Sequence, residues 1–118
     1  MPDRSVLVLT PDLMFSSNIE ATLRRTGRNV IVVEDLAALK TALSSTGPGL
    51  VILDLHAGID ATDVIALTRE SSVPVLAFGR HTEPVLLRSA REAGCAEVVP
   101  RSTFVQEMAS LVDRVART

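Results

Sequence analysis

The side chains of this sequence that could do chemistry at neutral pH are few and scattered. They are two histidines, His56 and His81, a single cysteine, Cys95, and a set of carboxylates from which Asp12 and Asp54 stand out. Imidazole and carboxylate together can hold a metal, but metal sites show themselves through close, regular ligand spacing, and His56 and His81 have none. Both histidines therefore read as solvated loop residues. Cys95 follows Gly94 with no base near it in sequence, which fits a small half-buried residue better than a nucleophile. The stretch "TGPG" (46–49) lacks the lysine and the following helix of a phosphate-binding loop. Asp54 is the unusual group. It closes the run "LVILD" (50–54), in which four apolar residues lead straight into a charge.

The elements that would position these groups alternate in length. Short β-branched or aliphatic runs fall at 5–10 ("SVLVLT"), 29–33 ("NVIVV"), 50–54 ("LVILD"), 73–78 ("VPVLAF") and 96–99 ("AEVV"). Most are continuous rather than alternating, as parallel strands covered on both faces must be. Helical segments lie between and after them. Phe15, Ile19 and Leu23 form one stripe before Gly27, and Leu36, Leu39 and Leu43 another behind Asp35 as N-cap. A third helix follows Asp60, and a fourth runs from about Glu83 to Ala93 with Gly94 ending it. In the last, Phe104, Met108, Leu111, Val112 and Val115 share a face; Ser102 or Thr103 can cap its start, and Thr103 with Gln106 fits the capping-box spacing.

Five strands alternating with five helices predict a single domain over 1–118. Its fold class is α/β, a (βα)5 chain folded as a doubly wound, five-stranded parallel sheet with helices on both faces. In such sheets the functional crevice opens at the carboxyl ends of the strands. Those ends are Thr10, Pro11 and Asp12; Asp54, Leu55 and His56; Gly79, Arg80 and His81; and Pro100, Arg101 and Ser102. A carboxylate at the end of a buried strand must be hydrated, hydrogen-bonded or paired. Arg80 and Arg101 are the candidate partners for Asp54.

The layout, together with "LVILDL", "VPVLAF" and "AREAGCAEVVP", resembles the receiver domain of two-component response regulators, the flavodoxin-like module typified by the chemotaxis regulator. The similarity spans the chain and implies strand order 2-1-3-4-5. Ala90, Ala93, Gly94, Ala96 and Val99 sit where that family has small and apolar residues. In the family, the aspartate at the position of Asp54 accepts a phosphoryl group. The acidic pair that holds Mg²⁺ falls on Thr10 and Pro11, with Asp12 just beyond. Ala57 and Gly58 stand for a Met-Pro pair, and Thr62 for a glycine. The Thr or Ser ending the fourth strand falls on Gly79, the aromatic of the fifth strand on Glu97, and the Lys-Pro pair on Pro100 and Arg101, with Arg101 as the available charge.

The resemblance therefore implies a degenerate receiver. Asp54 is the phosphoacceptor-equivalent but vestigial, no cofactor and no enzymatic activity are expected, and the fold works through protein–protein contact. The alternative is a divergent receiver phosphorylated on Asp54 by a histidine kinase, with Asp12 and Asp54 holding Mg²⁺. A third reading is a small anion- or nucleotide-binding module using Arg80 and Arg101. The expected partner is another signalling protein or a second copy, met by the face of the fourth helix, fifth strand and fifth helix. There Val85, Leu86 and Leu87 are flanked by Arg88 and Arg91, with Glu97 nearby. A formal charge of -2 gives no reason for nucleic-acid or membrane binding. One cysteine and no long apolar run point to a reducing, cytoplasmic setting.

Overall fold

Each of the five short apolar runs becomes a strand because β-branched and aliphatic side chains pack on a pleated surface buried on both sides. The computed structural model describes residues 4–117. Along the chain come β1 (Val6–Leu9), α1 (Leu13–Arg25), β2 (Val30–Val33), α2 (Leu36–Thr46), β3 (Leu50–Asp54), α3 (Ala61–Ser71), β4 (Val75–Gly79), α4 (Pro84–Ala93), β5 (Glu97–Pro100) and α5 (Arg101–Val115). The strands form one parallel sheet in the order β2-β1-β3-β4-β5. The expected α/β class, strand order and helical layers are all present.

Alternation along the strands divides the core in two. Leu7, Leu9, Val51, Leu53, Val75 and Ala77 point to the layer of α2, α3 and α4, where they meet Leu39, Val64 and Leu87. Val6, Val8, Leu50, Ile52, Leu76 and Phe78 point to the layer of α1 and α5, against Phe15, Ile19, Phe104 and Leu111. Three phenylalanines anchor this second layer. Phe78 stacks on Phe104 with ring centroids 4.6 Å apart, and Phe15 meets Phe78 edge-on at 5.2 Å.

Aspartates start three helices by accepting from backbone N–H groups: Asp12 from Phe15, Asp35 from Ala38 and Asp60 from Thr62. At α5 the expected capping box does not form. The helix begins at Arg101, directly from Pro100 and without a side-chain cap, so Ser102 and Thr103 already lie inside its first turn. Proline at the N-cap, with φ of -61°, lets the chain pass from strand to helix with no connecting loop. The helix is interrupted once, at Glu107 (φ -119°, ψ 23°). Among the described residues no helix is long and apolar enough to cross a membrane.

Candidate functional site

The same alternation explains what Asp54 meets. Leu50, Ile52 and Asp54 share one parity of β3, and Val6, Val8 and Thr10 share the matching parity of the neighbouring strand, with Leu9 opposite Leu53. Thr10 and Asp54 therefore come side by side at the carboxyl end of the sheet. Thr10 is 1% exposed and Asp54 4% exposed, and the Thr10 hydroxyl donates to Asp54 Oδ2 at 2.8 Å. The His56 backbone N–H donates to Asp54 Oδ1 at 2.8 Å, closing a turn that the Ala57 N–H completes by donating to the Asp54 carbonyl. Each carboxylate oxygen thus holds one neutral donor. The Thr10 hydroxyl oxygen in turn accepts from the Asp12 N–H at 3.2 Å.

This corrects the expected arginine pairing, since among the described residues no Arg or Lys pairs with Asp54. Arg80 projects into solvent, with Nη1 4.0 Å from Glu83 Oε2. Arg101 lies across the Phe15 ring, 4.0 Å from its centroid, and its Nη2 stands 3.7 Å from Asp12 Oδ2. The reason is geometric. Asp54 points into the α1/α5 layer beneath the loops, whereas both guanidiniums extend over the rim, where they shape a shallow cleft of about 370 Å³ with His81, Thr82 and Ser102.

His56 is also not the solvated loop histidine that the sequence suggests. Only 19% of its side chain is exposed; Nε2 accepts the Arg80 backbone N–H at 3.0 Å, which places the ring proton on Nδ1, 3.5 Å from Glu83 Oε2. His81 is exposed on the rim. Gly79 packs against the same pocket wall as the imidazole of His56, and the tight neighbours of this position are leucines. A Cβ there would lie 3.2 Å from Leu87 Cδ2, 3.3 Å from Leu55 Cδ1 and 3.5 Å from His56 Nε2.

The Mg²⁺ implied by the resemblance needs a set of hard oxygen ligands arranged around one point. The donors present fit that demand poorly. Asp54 already has both oxygens bonded inside the protein, Thr10 offers a neutral hydroxyl turned towards Asp54, and Pro11 offers no side-chain donor. Asp12 spends Oδ1 on the Phe15 N–H of α1 and faces Arg101 with Oδ2. Among the described residues, no group of three or more His, Cys, Asp or Glu side chains converges as metal ligands.

Of the expected interface residues, Leu87 is buried in the core and Leu86 packs half-buried against it, so neither is a free surface group. Both follow from the helix register: Leu87 and Ala90, three apart, face the sheet, which leaves Val85 66% exposed. Arg88 is exposed, Arg91 donates to the Val98 carbonyl at 3.3 Å, and Glu97 is paired with Arg114. Burial pushes the Cys95 thiol from 9.0 up to about 11, so it stays protonated at neutral pH. Sequence reasoning missed Glu83 and Phe15 as members of this site. The helical spacing of Glu83 behind Arg80 was the available sign for the first, and nothing local signalled the second.

Neither a protein-family model nor a curated protein sequence matches the chain. Solved structures do, and they define the fold as that of response regulator receiver domains. The chain is similar to the signal receiver domain of a response regulator from Bermanella marisrubri, with a TM-score of 0.85 at 19% identity over 96% of this chain and 98% of that one. It is likewise similar to the receiver domain of NtrX from Brucella abortus, with a TM-score of 0.84 at 16% identity over 94% and 97% of the two chains. Against chemotaxis protein CheY4 of Vibrio cholerae the TM-score is 0.82 at 16% identity, over 96% and 98%. At these identities the likeness is one of fold.

Proposed function

We propose that this domain is a pseudo-receiver, a receiver fold kept as a cytoplasmic docking module that signals by protein–protein contact without Mg²⁺-dependent phosphorylation of Asp54. The observation that carries the proposal is the neutral clamp on Asp54, with Thr10 bonding the carboxylate where the family resemblance calls for a metal-binding acid. Phosphoryl transfer to a carboxylate rests on positioning and on neutralising the charge of the transferring group, and a metal supplies much of that. Here both Asp54 oxygens face N–H or O–H donors, and Arg80 and Arg101 face Glu83 and Asp12 instead. Gly79 offers no hydroxyl to read a phosphoryl group. The surface left for partners is the exposed part of the face of α4, β5 and α5, namely Val85 and Arg88 with the Glu97–Arg114 pair.

The test is incubation with acetyl phosphate and Mg²⁺, read by intact mass, beside beryllofluoride read by amide NMR. The proposal expects no phosphoryl adduct and no beryllofluoride-dependent shifts around residue 54. An adduct that appears in the native chain and disappears in Asp54→Asn sinks it.

A further inference from the structure

From the contacts of His56 we infer that its imidazole is a built-in latch, holding the β4–α4 loop and the start of α4 in one arrangement with no phosphoryl group present. The inference rests on the pseudo-receiver reading and adds to it the means by which the unmodified crevice is fixed. Three contacts leave this one ring or its backbone. The His56 N–H ties the ring's own turn to Asp54, Nε2 accepts the N–H of Arg80, the first residue past β4, and Nδ1 faces the Glu83 carboxylate. Glu83 is the N-cap residue of α4 and makes no side-chain cap of its own, so its carboxylate is left to face the imidazole. Within the loop, the Glu83 N–H donates to the Arg80 carbonyl and the Leu87 N–H to the Glu83 carbonyl, which carries the constraint into the first turn of α4.

Gly79 lies beside the ring. A Cβ there would be in ordinary contact with Nε2 at 3.5 Å, but at 3.2 Å from Leu87 Cδ2 and 3.3 Å from Leu55 Cδ1 it would press on the two leucines that pack next to the imidazole. Glycine at 79 therefore leaves the packing around the imidazole bridge unstrained. In chemical terms, a contact that modification would have to create is replaced by one encoded in the sequence. His56 acts here as a positioning residue.

The experiment measures amide hydrogen exchange of Arg80 and Glu83, and microsecond-to-millisecond relaxation dispersion over residues 80–87, with no phosphodonor present. The variants are His56→Ala, His56→Gln, which returns an acceptor near the place of Nε2, and Gly79→Thr. The latch predicts that His56→Ala speeds Arg80 exchange by about five- to tenfold, as loss of one net hydrogen bond implies. Exchange at the core amide of Ile52 stays unchanged, His56→Gln restores most of the protection, and Gly79→Thr, which crowds Leu55 and Leu87 beside the ring, weakens it. Arg80 protection unchanged in His56→Ala, or lost equally in the alanine and glutamine variants, overturns the latch. Failure of the pseudo-receiver reading is a separate signal, a phosphoryl adduct on the native chain, and is read in a different experiment.

Discussion

Replacing Thr10 by valine keeps the shape of the side chain and removes the hydroxyl that donates to Asp54 Oδ2 and accepts the Asp12 N–H. Both groups are almost fully buried, at 1% and 4% exposure, so no water takes the place of the lost donor. A hydrogen bond to a charged group contributes about 1.5–3 kcal/mol net, and an orphaned buried acceptor sits at the upper part of that range. The methyl that replaces the hydroxyl is apolar and buried, which offsets a fraction of the loss. The net expectation is about 2 kcal/mol of lost stability, near a thirtyfold shift in the folding equilibrium. With a urea m-value of about 2 kcal/mol/M for a domain of this size, the midpoint falls by about 1 M. The chain has no Trp and no Tyr, so far-UV circular dichroism is the suitable probe. The cycle is completed with Asp54→Ala, in whose background Thr10→Val loses only the weaker contact with the Asp12 N–H and costs about 0.5–1 kcal/mol, giving a coupling energy of about 1–1.5 kcal/mol. Arg101→Met is the contrasting control, since that cation makes only a half-exposed pair with Asp12 and a ring contact, and it costs about 0.5–1 kcal/mol. A Thr10→Val cost under about 0.5 kcal/mol, or an Arg101→Met cost exceeding it, refutes the neutral clamp and revives the arginine pairing.

Two further outcomes follow from the packing. Cys95, raised by burial from 9.0 to about 11, holds about a hundredfold less thiolate at pH 8 than an unperturbed thiol, so its alkylation by iodoacetamide is slower by that order in the native protein than in urea. Equal rates in both states would contradict its burial. Phe104→Ala, which empties a fully buried place stacked on Phe78, costs about 3–5 kcal/mol, whereas Phe104→Leu costs less than half as much; equal costs would mean that the aromatic stack is not what fills the α1/α5 layer.

The architecture was legible because it rests on local, periodic signals. Unbroken runs such as "VLVL" and "LVIL" can be buried on both faces only in a covered parallel sheet, and Asp12, Asp35 and Asp60 begin helices by cap chemistry confined to a few residues. What failed depended on direction rather than on type. Arg80 and Arg101 flank the crevice as the sequence suggests, yet their guanidiniums run over the rim while Asp54 points into the sheet layer, a difference of side-chain aim that residue spacing does not carry. The Thr10–Asp54 contact was within reach, since adjacency of β1 and β3 together with period-2 parity brings those positions together. His56 was harder. Its role depends on a contact with the backbone of Arg80, 24 residues on, which becomes visible only once the strand ends are placed in space. The capping box at Thr103 misled for a simpler reason: Pro100 caps the helix three residues before the box would act.

The proposed docking role also accounts for why a carboxylate persists at the end of β3. A charge this deep is costly in isolation, yet two short hydrogen bonds from Thr10 and His56 hold it, and through them it ties β1 to the turn after β3. The same turn carries the imidazole that grips the β4–α4 loop. Asp54, so placed, is the hub of a short chain of contacts running from the N-terminal end of α1, through β1 and β3, to the N-cap of α4. A partner bound at α4 therefore meets a surface whose geometry is set by neutral donors and one histidine. Under the proposal it stays the same whether or not a phosphodonor is present, which is the property expected of a docking module rather than of a switch.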